Sequence, residues 1–210
     1  MSIKTHLAAP ELATVEVQGM TRHAFMARSA IAAGTVYGLA SVGPYVREAL
    51  AQEGGGDVDI LNFALTLEYL EAAFYEEAIA KAGLSGDAKK LAQLIGDHER
   101  QHVDALTGAI KDAGGKPVKA PGVTFPLKDE ASFLKLAIAF EDTGVSAYNG
   151  AAPMIKSADV LGAAGAIVQV EARHAAAVRF MAGESPTTGA FDETLTEQQV
   201  LKAVKPYIAA

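Results

Sequence analysis

Two phrases of this sequence place a histidine three residues after a glutamate among small and aliphatic neighbours. VEARHAAAVRF (170–180) carries Glu171 and His174, and DHERQHVDAL (97–106) carries Glu99 and His102. On a helix, positions i and i+3 share a face, so each pair aims one oxygen donor and one nitrogen donor in a common direction. A lone glutamate precedes each pair at nearly the same interval: Glu68 stands 31 residues before Glu99, and Glu141 stands 30 before Glu171. One Glu-x-x-His is weak evidence, because most such pairs lie on surfaces. Two of them, each matched by a lone glutamate on an apolar stripe, agree across several levels at once. The chemistry of the set is metal chemistry. Four buried carboxylates repel one another and take up protons unless cations neutralise them, and two divalent ions cancel the four charges. Bridging carboxylates with one imidazole per ion make an oxygen-rich donor set suited to iron or manganese. Glu68, Glu99, His102, Glu141, Glu171 and His174 are therefore the expected ligands of two divalent metal ions, iron or manganese.

Neighbouring residues qualify for supporting roles. Tyr75 follows Glu68 by seven residues and Tyr148 follows Glu141 by seven, two turns along each stripe. Either phenol is a catalytic candidate, through a hydrogen bond to a ligand or by giving up an electron; a core tyrosine with a satisfied hydroxyl is the plainer alternative. Glu71, one turn from Glu68, is a spare ligand, an acceptor behind a ligand, or a bundle-edge residue. His98 points about 100° away from Glu99 around the helix, toward the surface or a supporting position. A metal-bound imidazole usually donates its other N–H to an acceptor. Of Asp104 and Arg173, Asp104 is the one able to accept. His6 and His23 receive no role.

The elements that must position these residues are helices. Residues 57–82 put Ile60, Leu61, Ala64, Leu65, Glu68, Ala72 and Tyr75 on one stripe. Residues 86–113 align Leu91, Leu94, Ile95, Glu99, His102 and Leu106. Residues 129–156 align Phe133, Leu134, Ala137, Ile138, Glu141 and Tyr148, and 158–182 align Leu161, Ile167, Glu171, His174 and Val178. A shorter fifth helix is expected over 196–208, opened by a capping box of Thr196 and Gln199. Pro153 should kink or loosen the end of the third helix. The connections GLSG and KSAD are short enough to force two antiparallel hairpins. GGKPVKAPGVTFPLK (114–128) has three prolines and no helical period. Extended, it spans roughly 50 Å, against about 39 Å for a helix of about 26 residues. It can cross the whole bundle and leave helices 2 and 3 parallel. The six donors lie at matching distances from the two hairpin turns, hence at one height. The expected fold is all-α: a four-helix bundle with one long crossover between helices 2 and 3, plus a short C-terminal helix.

Composition is compatible with this. The chain has 210 residues, half of them hydrophobic, enough for one core and an extra segment. A net charge of −7 and a pI near 5.2 argue against nucleic-acid binding, which needs clustered Lys and Arg. Without cysteine there are no disulfides, thiolate metal sites or cysteine nucleophiles. Residues 1–55 are expected to be a leader outside the fold, and 56–210 the domain. TRHAFMAR, then SAIAAGTVYGLASVG, then Ala49-Leu50-Ala51 follow the order of an export signal: basic region, apolar region, small-residue cut site. The apolar run is too short and too rich in Ala and Gly for a membrane span. Thr21, Arg22, Phe25 and Met26 resemble a twin-arginine signal in which His23 replaces the second arginine. The leader predicts a periplasmic or other extracytoplasmic location; without a working leader the protein is cytoplasmic. An N-terminal helix packed on the domain, or a membrane anchor, is the alternative.

The region 57–182 resembles the ferritin-like superfamily, nearest to bacterial ferritin-like domain proteins related to plant desiccation-associated proteins. NFALTLEYLEAAFY, EDTGVSAYNGAAP and VEARHAA carry the likeness. It implies a two-metal site at the six positions, often of iron, that handles O2 or H2O2. The implied activities are those of a di-iron ferroxidase or peroxidase, or of a dimanganese catalase-like enzyme, and the ligand set fits each. A different class is a non-catalytic stress or desiccation protector whose metals only staple the bundle. An iron-storage cage is less favoured, since no assembly signal is readable. A smaller homo-oligomer stays open.

Overall fold

A computed structural model describes residues 56–208. Five α-helices follow one another there: α1 (Asp57–Lys81), α2 (Gly86–Asp112), α3 (Glu130–Ala151), α4 (Ala158–Met181) and α5 (Glu197–Val204). No strand forms among the described residues, and an isolated antiparallel bridge joins Val123 to Ile208. None of the described helices is long and apolar enough to cross a membrane. The leader expected over 1–55 lies outside the described residues.

Local chemistry sets the helix ends. Thr196 and Gln199 form the expected capping box at α5. Asp129 and Ser132 form a second at α3: the Asp129 carboxylate accepts from the Ser132 N–H at 2.8 Å, and the Ser132 hydroxyl oxygen accepts from the Asp129 N–H at 2.9 Å. α3 is shorter than the expected 129–156. It stops at Ala151, and Ala152–Met154 make one tight 3-10 turn around Pro153. Proline lacks an N–H and its ring crowds the preceding turn, so it ends this helix instead of kinking it. α5 stops short of 208 in the same way, at a 3-10 turn Lys205–Tyr207 containing Pro206. α2 and α4 close on Gly114 and Gly183, with φ of 76° and 77°. The N–H groups of the next residues, Gly115 and Glu184, reach back to the carbonyls of Ile110 and Arg179 at 2.8 and 2.9 Å. That closure requires a left-handed residue, which glycine adopts without a Cβ penalty.

Hydrogen bonds fix the topology. The N–H groups of Lys156 and Ser157, in the α3–α4 turn, donate to the Asp57 carboxylate at 2.8 and 2.7 Å. α3 therefore ends where α1 begins and runs antiparallel to it. α1 is also antiparallel to α2 through the short turn Ala82–Ser85, so α2 and α3 are parallel, as the crossover length predicted. The crossover starts beside Asn62, which bonds Lys116 and Val118. It reaches Phe125, edge-on to Phe74 at 5.4 Å, about 18 Å farther along α1. α5 then lays Val200 and Val204 into the same apolar cluster.

The core has two parts. One, at the α1–α2 turn, is aromatic: Phe74 contacts Phe125, Phe133 and Phe140 with ring centroids 4.9–5.7 Å apart. The other, at the α3–α4 turn, is aliphatic: Leu61, Leu65, Leu106, Ile110 and Ile167, with Tyr148. Between them lies a layer of buried charge. Leu94 and Leu161, expected on the inward stripes, are exposed instead.

Candidate metal centre

The structure brings all six expected donors together. Glu68, Glu99, Glu141 and Glu171 are fully buried, and His102 and His174 nearly so. They form two overlapping groups, Glu68/Glu99/His102/Glu171 and Glu99/Glu141/Glu171/His174. Within each group one donor atom per residue lies within 4.8 Å of all the others. Glu99 and Glu171 belong to both. His102 Nδ1 faces Glu171 Oε1 at 2.9 Å, Glu99 Oε2 at 3.1 Å and Glu68 Oε2 at 3.2 Å. His174 Nδ1 faces Glu99 Oε1 at 3.0 Å, Glu141 Oε2 at 3.4 Å and Glu171 Oε2 at 3.6 Å. Each half therefore has one imidazole against three carboxylates, and the halves mirror each other as the repeated spacing predicted.

The tyrosines exchange partners across the repeat. Tyr148, in the second hairpin, donates its hydroxyl to Glu68 Oε1 of the first at 2.6 Å. Tyr75, in the first, donates to Glu141 Oε1 of the second. Both are buried core tyrosines with satisfied hydroxyls, and both touch a carboxylate of the cluster. In each case the carboxylate's other oxygen, Oε2, faces a histidine.

The site also contains polar atoms that protein alone does not satisfy. Glu99 Oε1, Glu141 Oε2, both oxygens of Glu171 and His174 Nδ1 are buried without a well-formed hydrogen bond, although they lie close to one another. Buried groups left so are costly and call for an explanation. Their lone pairs converge on shared points, and a cation at such a point would satisfy several of them together. Carboxylate oxygens with one imidazole per group fit iron or manganese.

The sequence matches the model of the ferritin-like domain over residues 56–184, well over half the chain. The chain belongs to the ferritin-like domain family. No curated protein matches it significantly. Among solved structures, this ferritin-like domain is similar to a conserved hypothetical protein from Mycobacterium tuberculosis. The two share 22% identity with a TM-score of 0.56, over 64% of this chain and 96% of that one. At that identity the likeness is one of fold.

Electrostatics in the ferritin-like domain follow from packing so much charge out of water. Burial, reinforced by Glu171 and Glu99, holds the Glu68 carboxyl well above its ordinary range despite the opposing pull of His102. Burial does the same to Glu141 against His174. Glu99 behaves oppositely. Burial resists its ionisation, but hydrogen bonding to His102 and His174 wins and draws it down to about 2. Burial also disfavours charge on the histidines, yet their carboxylates push both up to about 12: Glu171, Glu68 and Glu99 for His102, and Glu141, Glu171 and Glu99 for His174. Burial, then the facing carboxylates Glu141 and Glu68, raise Tyr75 and Tyr148 and keep both phenols protonated. Without metal, protons occupy the place of cations.

Two participants left open by the sequence are placed by the fold. Glu71 is buried, not at the bundle edge. Burial and four surrounding glutamates, Glu171 first, raise its carboxyl well above normal. Its signal was the repeat itself: Glu68-x-x-Glu71 aligns with Glu141-x-x-Gly144, and a Cβ on Gly144 would sit 3.1 Å from Glu71 Oε1. The second glycine clears room for the first hairpin's extra carboxyl. His98 is half-buried, with Nδ1 2.9 Å from His174 Nε2 and its ring stacked on it at 5.2 Å. His98, not Asp104, is thus the residue that holds a cluster histidine from behind. Asp104 and Arg173 are exposed.

Proposed function

We propose that this ferritin-like domain binds two divalent metal ions, iron in preference to manganese, and uses them to oxidise Fe(II) or to consume O2 or H2O2. The observation that carries this reading is the sharing of Glu99 and Glu171 between two four-residue donor groups. Glu99 and Glu171 would bridge the ions. Glu68 and His102 would complete one coordination set, and Glu141 and His174 the other. The ions, when bound, supply two-electron chemistry: one electron from each Fe(II) converts O2 and two protons to H2O2, or H2O2 and two protons to two waters.

The chain's own residues set the conditions for it. Tyr148 and Tyr75 fix Glu68 and Glu141 by donating to one oxygen each, which leaves Oε2 free to ligate. His98 fixes the ring of His174 through Nε2 and leaves Nδ1 facing the carboxylates. Glu71 keeps a proton beside the cluster. Two apolar layers flank the charged level.

The finer placement is also proposed. The likeness to desiccation-associated proteins and the leader pattern around Arg22 support a stress-related protein exported from the cytoplasm. The decisive measurement is metal content per chain in protein purified from its native compartment, followed by O2 and H2O2 consumption after loading with Fe(II) or Mn(II). Two metals per chain with turnover supports the reading. Two metals with a large rise in melting temperature and no turnover supports a structural metal site in a protective protein. Absence of metal retention overturns both.

A further inference from the structure

The two ends of the bundle are closed differently. Beyond the charged layer on the α1–α2 side, Phe74, Phe125, Phe133 and Phe140 fill the space between the helices. On the α3–α4 side alanines, among them Ala64, Ala109 and Ala147, alternate with larger apolar side chains such as Leu61, Leu106 and Ile167. The short alanines leave space between the larger side chains, and a cavity of about 60 Å³ remains. Exposed Ala105 of α2 and Ala163 of α4 form its rim. Tyr148 is the one lining residue with a polar side chain, and its hydroxyl is the group that donates to Glu68 Oε1 at 2.6 Å. One side chain, Tyr148, thus stands between the cavity and a cluster carboxylate.

We propose that this cavity is a binding site and entry route for an apolar diatomic gas, O2, which reaches the cluster on its Glu68/His102 side. The assignment rests on the dimetal reading above and deepens it by choosing between the oxidants. A buried water needs two to four polar partners, and apolar cavities stay dry and take up apolar guests such as xenon. H2O2 must keep its hydrogen bonds or lose free energy on entering such a space. O2 has none to lose. Size restricts the guest further: an apolar cavity of about 150 Å³ is what accommodates benzene, so this smaller one excludes organic substrates of that size.

The test uses the full-length chain with xenon as the probe. Xenon under pressure, located by diffraction or by 129Xe NMR on metal-free protein, should occupy a site among Ala64, Ala109 and Ala147. Ala109→Leu should abolish that site, and Leu106→Ala, which enlarges the same space, should raise its occupancy. Both variants are checked for an unchanged helical circular dichroism spectrum. In stopped-flow experiments on Fe(II)-loaded protein, Ala109→Leu should slow oxidation by O2 at least tenfold and leave oxidation by H2O2 within twofold. Absence of xenon from the wild-type cavity, or equal slowing with both oxidants, overturns the proposal. Wild-type protein that takes up xenon yet consumes neither oxidant overturns the dimetal oxidase reading and upholds the gas site.

Discussion

Raising the pH from 6.5 to 8 should destabilise the metal-free protein, and by an amount the cluster geometry sets. In the fold His102 and His174 keep their protons up to about pH 12, whereas an unfolded histidine loses its proton at about 6.5. A group whose folded pKa lies above its unfolded value contributes stability that is full below the unfolded value. That contribution is lost as pH climbs toward the folded one. Over this window each histidine loses a little under 2 kcal/mol, from about 1.2 effective pH units at 1.36 kcal/mol each, since the unfolded ring is still half protonated at the start, and the pair loses about 3 kcal/mol. A domain of this size shifts its melting temperature by about 2–4 °C per kcal/mol, so the expected fall is about 6–12 °C. Glu68 and Glu141 act with the same sign, because both are raised and hold protons in the fold that they lose when unfolded. Glu99, drawn down to about 2, opposes them only in acid, where its contribution disappears as pH falls from the ordinary value of 4.5 toward 2. Metal binding needs neutral imidazole and ionised carboxylate, so loading should remove the fall, and metal affinity should rise with pH. The assay is calorimetric melting of EDTA-treated protein at both pH values, with and without Mn(II). A metal-free melting temperature that is flat or higher at pH 8 refutes the argument, since the cluster would then not be holding protons in place of cations.

Three further outcomes follow from particular contacts. Glu99 lies in both donor groups and Glu68 in one, so Glu99→Gln should leave fewer than one metal per chain and Glu68→Gln about one, by elemental analysis of loaded protein. Gly144→Ala puts a Cβ 3.1 Å from Glu71 Oε1, so the gain of about 1 kcal/mol that alanine brings inside a helix should be reduced in melting experiments and recovered in a Glu71→Ala background, because neighbours that share a contact are not additive. Gly150→Ala would drive a Cβ into the Leu195 carbonyl oxygen, which is backbone and cannot step aside. It should cost about 1–3 kcal/mol or more by overpacking and should speed protease cleavage in the 183–195 strap.

The all-α fold and the convergence of the six donors were legible because period, interval and loop length are properties of sequence. A carboxylate on an apolar stripe has one place to go, and a connection such as 114–128 either spans a bundle or does not. The residues that escaped are those whose role depends on a neighbouring helix. His98 projects away from Glu99 on its own helix, and only the packing of α4 against α2 brings it to His174 Nε2. Asp104 was chosen on acceptor chemistry alone, and the fold leaves it in solvent. The tyrosines were placed on the correct stripes, but the exchange of partners between hairpins is a property of the assembled bundle. Leu161 shares the first turn of α4 with Val160, and Val160 is the one that packs on the aliphatic core, so periodicity assigned the inward position to the wrong neighbour.

The repeat also explains why the two halves of the site are alike in charge and unlike in access. Duplicating one hairpin supplies two imidazoles and four carboxylates, with Glu99 and Glu171 held in common, and that symmetry is what two equal cations require. The surroundings carry no such constraint, and they diverge. The Glu141/His174 half backs onto Tyr75 and the phenylalanines, with Tyr75 5.1 Å from Phe74 and 5.9 Å from Phe133, and it gains His98 as a support. The Glu68/His102 half backs onto Tyr148 and a wall of alanines with a gap in it. Glu71 adds a protonated carboxyl from the first hairpin where the second has only Gly144. Under the proposed two-metal reading, the half backed by His98 and the phenylalanines would hold its ion while the half beside the cavity meets a small oxidant. The ligands alone cannot provide that division, because they are the same on both sides.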